Sequence, residues 1–438
     1  MTPKILLEGC NLALPQGTGI ATYARNLNDA VRASGYATDV LIDVNKPLDS
    51  GDTVLNEITI FDPTPPEPQP FSFLPSFKKL TMRSRLGISA TKIPLAGVVA
   101  ESTAAFSNFD AVYAATNLDH LTRKHFTRYG VRALLNIIPT PTLFHATQAI
   151  ALGVKSCPNI YTIHDIVPLR LPTTTLDNKK YFINMMRHLC RTADHIVTVS
   201  EFSRHDIIEF FGIAEDRVTN TYQAVRLPDN ALSCSADQVA SMIEDAFNLS
   251  YQQYFLFVGA IEPKKNLSRL IDAYAASHSK HPLVIVGGLG WQNESDLAKI
   301  NDERFMKYRI VDNEIFPQRQ VRRLSYVSQE ALVALMRGAR ALLFPSLYEG
   351  FGLPVLEAMM LGTPVMTSNV TSLPEIAGEA AILVDPLDIE NMARAIRRLD
   401  SDADLRRDLA ERGSKRAELF SPENYHDRVA ALYRRVIG

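Results

Sequence analysis

The 438-residue sequence has little to offer several function classes. Its four cysteines, Cys10, Cys157, Cys190 and Cys234, lie too far apart for a zinc ribbon or a redox pair, and no apolar stretch with a cleavage site follows Met1. The expectation is the reducing cytoplasm. No run approaches the roughly 20 uninterrupted apolar residues of a spanning helix, so any membrane contact would be peripheral. Charge of either sign is not in excess: 46 basic residues face 48 acidic ones, which gives no electrostatic preference for nucleic acid. There is no internal repeat and no long low-complexity tract.

What is present is alternation. The start, "KILLEGCNLALPQGTGIATYARNLNDAVRASGY", reads as a buried strand, a glycine-bearing loop and a helix with Ile20, Tyr23, Ala24, Leu27 and Val31 on one face. Short apolar runs such as "IYTIHDIV" and "HIVTVS" alternate with helical segments such as "KKYFINMMRHLCRTA", the order of a parallel sheet wrapped by helices. A second unit opens at "YFLFVGAIEPKKNLSRLIDAYAAS" and repeats the pattern through "PLVIVGG", "ALLFPS", "TPVMTS" and "AAILVDP". Two doubly wound α/β domains facing each other across a cleft are expected, joined near residues 226 to 250.

Residues 45 to 150 read poorly. "DPTPPEPQP" is a polyproline-like spacer. The following "FSFLPSFKKLTMRSRLG" mixes Phe71, Phe73, Phe77 and Leu86 with Lys78, Lys79, Arg83 and Arg85. That composition suits an interfacial segment on anionic headgroups over residues 71–86, and equally a helix that packs its apolar face and solvates its basic one.

The chemistry concentrates in "PSLYEGFGLPVLEAMMLGTPV". A strand ends near Glu349, a turn carries Gly350 and Gly352, and a helix follows with Glu357 inside it. Unpaired N–H groups at such a turn attract anions, and glycine lets a ligand approach the backbone. Singly, Glu349 as a helix-cap acid and Glu357 as a solvated residue would be ordinary. In "VGAIEPKKN" two cations, Lys264 and Lys265, follow another strand, where a diphosphate leaving group would need neutralising. "YTIHDIVPL" places His164 and Asp165 at a strand end of the other domain.

The run from about 325 to 388 resembles the signature region of the retaining family 4 glycosyltransferases, and "GTGIATYARNL", "ADHIVTVSEFSRHDI" and "YFLFVGAIEPKKNLSRLIDAY" follow in that family's order. The resemblance implies the GT-B fold: a Rossmann-like acceptor domain over 1–240 with a divergent segment at about 45–150, a Rossmann-like donor domain over 241–419, and a helix at 420–438 that packs back on the first domain. It implies that Glu349, the first glutamate of an E-x(7)-E pair, meets the donor sugar and that Glu357 holds the nucleotide ribose. Gly350, Phe351, Gly352 and Leu353 would line sugar and diphosphate, with Gly259 and Lys264 beside them; Lys265 would meet the diphosphate, His164 the sugar, and Gly17 and Gly19 the donor phosphate and acceptor. The family's usual arginine after the strand glycine is replaced by Ala260.

The implied reaction is hexose transfer from a nucleotide sugar to a glycan or lipid-linked acceptor by front-face displacement, without cofactor or metal. "DSD" and "DAD" at 400–404 are read as helix-cap and solvated acids, not as a metal motif. The "EPKKN" loop and the tail "SLPEIAGEAAILVDP" look most like bacterial members that build surface polysaccharide from GDP-mannose; UDP and dTDP sugars stay open. Alternatives are another GT-B activity, such as a UDP-sugar transferase or nucleotide-sugar epimerase, and a non-catalytic nucleotide-sugar-binding protein. The expected location is cytoplasmic, peripheral on the inner membrane face.

Overall fold

The computed structural model describes residues 2–12, 19–46, 52–62, 85–95, 97–99, 105–311, 314–325 and 327–438. Two sheets dominate it. The first has eight strands in the spatial order Val218–Asn220, His195–Thr198, Asn159–Thr162, Leu143–Ala146, Lys4–Glu8, Ala37–Val44, Ala111–Thr116 and Thr91–Ile93. All neighbours are parallel except the last pair. The second sheet has six parallel strands in the order Val321–Leu324, Leu283–Val286, Phe255–Val258, Ala341–Phe344, Val365–Ser368 and Ala381–Val384.

The strands are short apolar runs because both faces of each sheet are covered. Leu6 and Leu41 pack on one side of the first sheet and Ile5, Leu7 and Leu143 on the other, and all are buried. Helix α1 (Gly19–Ala33) buries Tyr23, Ala24, Leu27 and Val31 as its periodicity predicts. Helices α2 (Lys179–Thr192) and α3 (Glu201–Phe211) lie in the first half, and α4 (Leu267–Ser277) and α5 (Leu353–Met360) in the second. Helix α6 (Pro422–Ile437) returns from the second half and packs on α1, with Tyr433 fully buried and its hydroxyl 2.6 Å from His145 Nδ1.

Strand order decides where a ligand can sit. In the first sheet the chain winds outward from Lys4–Glu8 on one side, then returns to Leu143–Ala146 on its other side. In the second it reverses between Phe255–Val258 and Ala341–Phe344. Each reversal leaves a crevice beyond the carboxyl ends of the strands, the usual ligand position in open α/β sheets. Two small elements lie outside the sequence reading: a three-stranded sheet of Ile88–Ser89, Ala133–Asn136 and Leu152–Val154, and an antiparallel hairpin of Met306–Val311 with Glu314–Arg319.

Candidate active site

The second-domain reversal supplies two loops. After Phe255–Val258 the chain turns at Gly259, whose φ of 151° is in glycine territory, and forms the short 3-10 turn Pro263–Lys265 before α4. After Ala341–Phe344 it runs through Pro345 and Leu347 to Glu349. The loops are tied where Leu347 N donates to the Lys264 carbonyl at 2.8 Å and Asn266 Nδ2 to the Pro345 carbonyl at 3.1 Å. Lys265 thereby brings Nζ to 2.6 Å from Glu349 Oε1, both side chains almost buried, and lies 5.1 Å from the centroid of the Phe344 ring.

Burial pushes the Glu349 carboxyl up, but the charges of Lys265 and Lys264 with the hydrogen bond from Lys265 outweigh it, and the net direction is down. Glu349 is therefore ionised at neutral pH. Lys264 loses solvation too, yet Glu349, Asp165 and Glu262 hold it charged, with its pKa raised. Its Nζ is 3.5 Å from Glu262 Oε1. Ala260 is exposed, so the cations at this loop are Lys264 and Lys265.

Beyond Glu349, Ser372 Oγ donates to the carbonyls of Glu349 and Phe351, each at 2.9 Å. Gly352, at φ 106°, is the N-cap of α5 and contributes no side chain to it. Among the described residues, the N–H groups of Gly350, Phe351, Gly352 and Leu353 meet no acceptor. One turn further in, Glu357 is half-buried without a partner among the described residues, and burial raises its carboxyl to about 7. Neither glutamate serves as the helix cap.

The first domain closes on this turn. A Cβ added to Gly350 would stand 2.3 Å from the His164 carbonyl oxygen and 3.1 Å from Asp165 Cβ. Ser200 Oγ and Ser203 Oγ, at the start of α3, donate to the Gly350 carbonyl at 2.7 and 3.2 Å, and Ser203 Oγ also to the His164 carbonyl at 2.8 Å. Glu375 of the second domain caps α3 from across the cleft, accepting from Glu201 N at 2.7 Å and Phe202 N at 3.0 Å. Trp291 of the second domain donates its Nε1–H to the Thr174 carbonyl at 2.7 Å.

His164 Nε2 lies 2.9 Å from the Thr147 carbonyl. A carbonyl only accepts, so the proton is on Nε2. Burial lowers the imidazole pKa more than the Thr147 bond and Asp165 raise it, so the neutral ring keeps a free lone pair on Nδ1. The Tyr23 ring meets it edge-on at 4.8 Å.

The cleft thus gathers Glu349, Lys265, Lys264, Gly259, the turn 350–353 and His164, with Glu357 on the helix that follows the turn. Gly19 joins them: a Cβ there would reach Leu353 Cδ1 at 3.4 Å. Gly17 lies outside the described residues, as does the basic-aromatic segment save Arg85 and Leu86, both exposed. Asp402 caps the helix Ala403–Ala417 and Asp400 pairs with Arg340 at 3.1 Å. Among the described residues no group of three His, Cys, Asp or Glu could hold a metal, and no helix is long and apolar enough to cross a membrane. Sequence reasoning missed Glu262, Ser372, Ser200, Ser203 and Glu375. The Ser200 cap before an apolar helix was the one readable signal among them.

Residues 243–416 match the family model of the glycosyl transferases group 1, and residues 98–227 that of glycosyltransferase family 4. The chain is 32% identical over 286 residues to O-antigen chain mannosyltransferase B of Escherichia coli, covering 63% of this chain and 70% of that protein. It is 29% identical over 269 residues to the serotype-specific mannosyltransferase WbdA of the same species, covering 60% of this chain but only 31% of that longer protein. Among solved structures, Anabaena HepE in complex with UDP and glucose superposes with a TM-score of 0.64 at 15% identity over 99% of this chain and all of that one, a likeness of fold.

Proposed function

The chain belongs to family 4 of the glycosyltransferases and has their GT-B fold, and from that premise we propose that it moves mannose from GDP-mannose to a hydroxyl of a glycan or lipid-linked saccharide in surface polysaccharide synthesis, with retention of anomeric configuration. The observation that carries the reading is the buried Lys265–Glu349 contact at 2.6 Å, set at the strand reversal of one domain and roofed by His164 of the other. The mannosyl donor is supported by the relatives, whose names state mannosyltransferases.

In this reading the diphosphate lies against Lys265 and Lys264, the unpaired N–H groups of residues 350–353 and the open backbone at Gly259. Its charge is met by ammonium groups, which gives the reaction no need of a metal. Glu357 accepts the ribose hydroxyls. Glu349 stands beside the anomeric carbon, where a fixed carboxylate stabilises oxocarbenium-like charge. His164, through its free Nδ1, accepts from a sugar hydroxyl, and Gly19 borders the donor phosphate and the acceptor.

The acceptor oxygen attacks C1 on the face from which the phosphate departs. As the C1–phosphate bond breaks and the new C1–O bond forms, the acceptor's proton passes to the leaving phosphate oxygen and GDP is released. Most of the rate enhancement then comes from orientation and from charge fixed in advance. The protein works at the inner face of the cytoplasmic membrane when its acceptor is lipid-linked.

The test is a panel of nucleotide sugars offered to the purified protein, read by thermal shift and by hydrolysis. A ligand at 100 times its Kd stabilises by about 2.7 kcal/mol. GDP-mannose is expected to give the largest shift and to be hydrolysed; preference for a UDP sugar would overturn the donor assignment.

A further inference from the structure

A cavity of about 290 Å³ opens in the first domain beside His164, between α2 and the helix Leu118–Tyr129. Among the described residues its acidic and basic lining is three aspartates, Asp119, Asp165 and Asp177, against one arginine, Arg123, with His164. Resting on the transferase reading, we infer that this cavity takes the acceptor's terminal sugar and admits it only uncharged, rejecting phosphorylated and uronic termini.

The arginine's charge is already engaged. Arg123 Nε donates to both Asp119 oxygens, at 2.9 and 2.8 Å, and its guanidinium lies 5.6 Å from the centroid of the Tyr181 ring. Both partners are more than half exposed, so the pair adds little to stability. Its consequence is local: Arg123 is held charged by Asp119 and again by Asp177, and three carboxylates against one guanidinium leave the described lining net negative. His164 is kept neutral by burial.

Lys264 lies across the cleft, within the fields of Glu349, Asp165 and Glu262. What the cavity offers a ligand is carboxylate oxygens, the Asn178 amide at the start of α2, and the aromatic rings of Tyr181 and Phe182. Carboxylates accept hydroxyl hydrogens, and rings cover the apolar face of a pyranose. A phosphate placed there would meet a net excess of like charge, one of the ways a site discriminates against a wrong ligand.

Saturation-transfer NMR with the full chain and GDP tests this directly, using an α-linked mannobiose and the same disaccharide phosphorylated at O6 of its terminal residue. The neutral sugar should bind at least roughly tenfold more tightly, the scale of one like-charge pair about 12 Å apart at an effective dielectric near 20. Asp177→Asn should shrink that ratio and Asp177→Lys reverse it. Equal or tighter binding of the phosphorylated sugar to the wild type, binding of neither sugar, or preference for a terminal amino sugar would each overturn the inference. An unchanged ratio in both variants would too. Donor hydrolysis, followed separately, reports on the transferase reading itself, since its failure would leave the binding ratio measurable.

Discussion

Replacing Gly350 by alanine isolates the contact that joins the two domains. The added Cβ would lie 2.3 Å from the His164 carbonyl oxygen and 3.0 Å from its carbonyl carbon. Ordinary carbon–oxygen contact is about 3.3 Å, so the backbones must separate by about 1 Å. Neither side gives easily, because three serine hydrogen bonds of 2.7, 2.8 and 3.2 Å bind these two carbonyls. Overpacking of this kind costs about 1–3 kcal/mol, and a misplacement near 1 Å between reacting groups costs about a hundredfold in rate. Gly350 has no positive φ, so the effect is steric. Gly362 is the control, with φ 69° and nothing within 4 Å of an added Cβ: alanine there should lose about 1 kcal/mol to left-handed strain yet keep its turnover. Steady-state kinetics and thermal unfolding of both variants decide the matter. Turnover of Gly350→Ala within about threefold of wild type would refute the closed His164–Gly350 geometry as the working one.

Glu349→Ala and Lys265→Ala should each lower turnover by roughly a hundredfold or more, since each removes charge aimed at the transition state; a change below about threefold would displace the catalytic turn from this loop. Glu357, raised to about 7, is neutral below that pH and ionised above it. If only the carboxylate holds the ribose, donor Kd should be about tenfold weaker at pH 6 than at pH 8, and Glu357→Gln should flatten the profile. The folded protein binds this proton more tightly than the unfolded chain, so the same group favours the ligand-free fold at low pH. That contribution is lost as pH rises from the ordinary glutamate range through about 7, which a comparison of wild-type and Glu357→Gln melting curves would show. Activity should survive EDTA, the lysines meeting the diphosphate charge; loss restored by magnesium or manganese would contradict this.

The two sheets were legible because each strand is a short apolar run followed by a helix with a buried stripe, as in "YFLFVGA" and the Leu267–Ser277 helix after it. The three-stranded sheet was not: Ile88–Ser89 has two residues and Leu152–Val154 three, too few to show any period. The Met306–Val311 hairpin escaped because Pro317 sits in its second strand, a residue that demotes a strand reading. At the site, residue types announced cations and carboxylates at strand ends, but the Lys265–Glu349 pairing spans 84 positions and the Glu375 cap of α3 spans 174. No local pattern encodes a partner that distant. The cap reading of Glu349 failed for the same reason: α5 begins at a bare Gly352, and the carboxylate turns instead to a lysine on another loop.

Retaining transfer from GDP-mannose is most directly tested by proton NMR during acceptor-free hydrolysis of GDP-α-mannose, recorded before the released sugar mutarotates. Departure and attack on one face, beside Glu349, predict that α-mannose appears first. β-Mannose as the first product, or GDP-mannose left intact while another nucleotide sugar is consumed, would contradict the account.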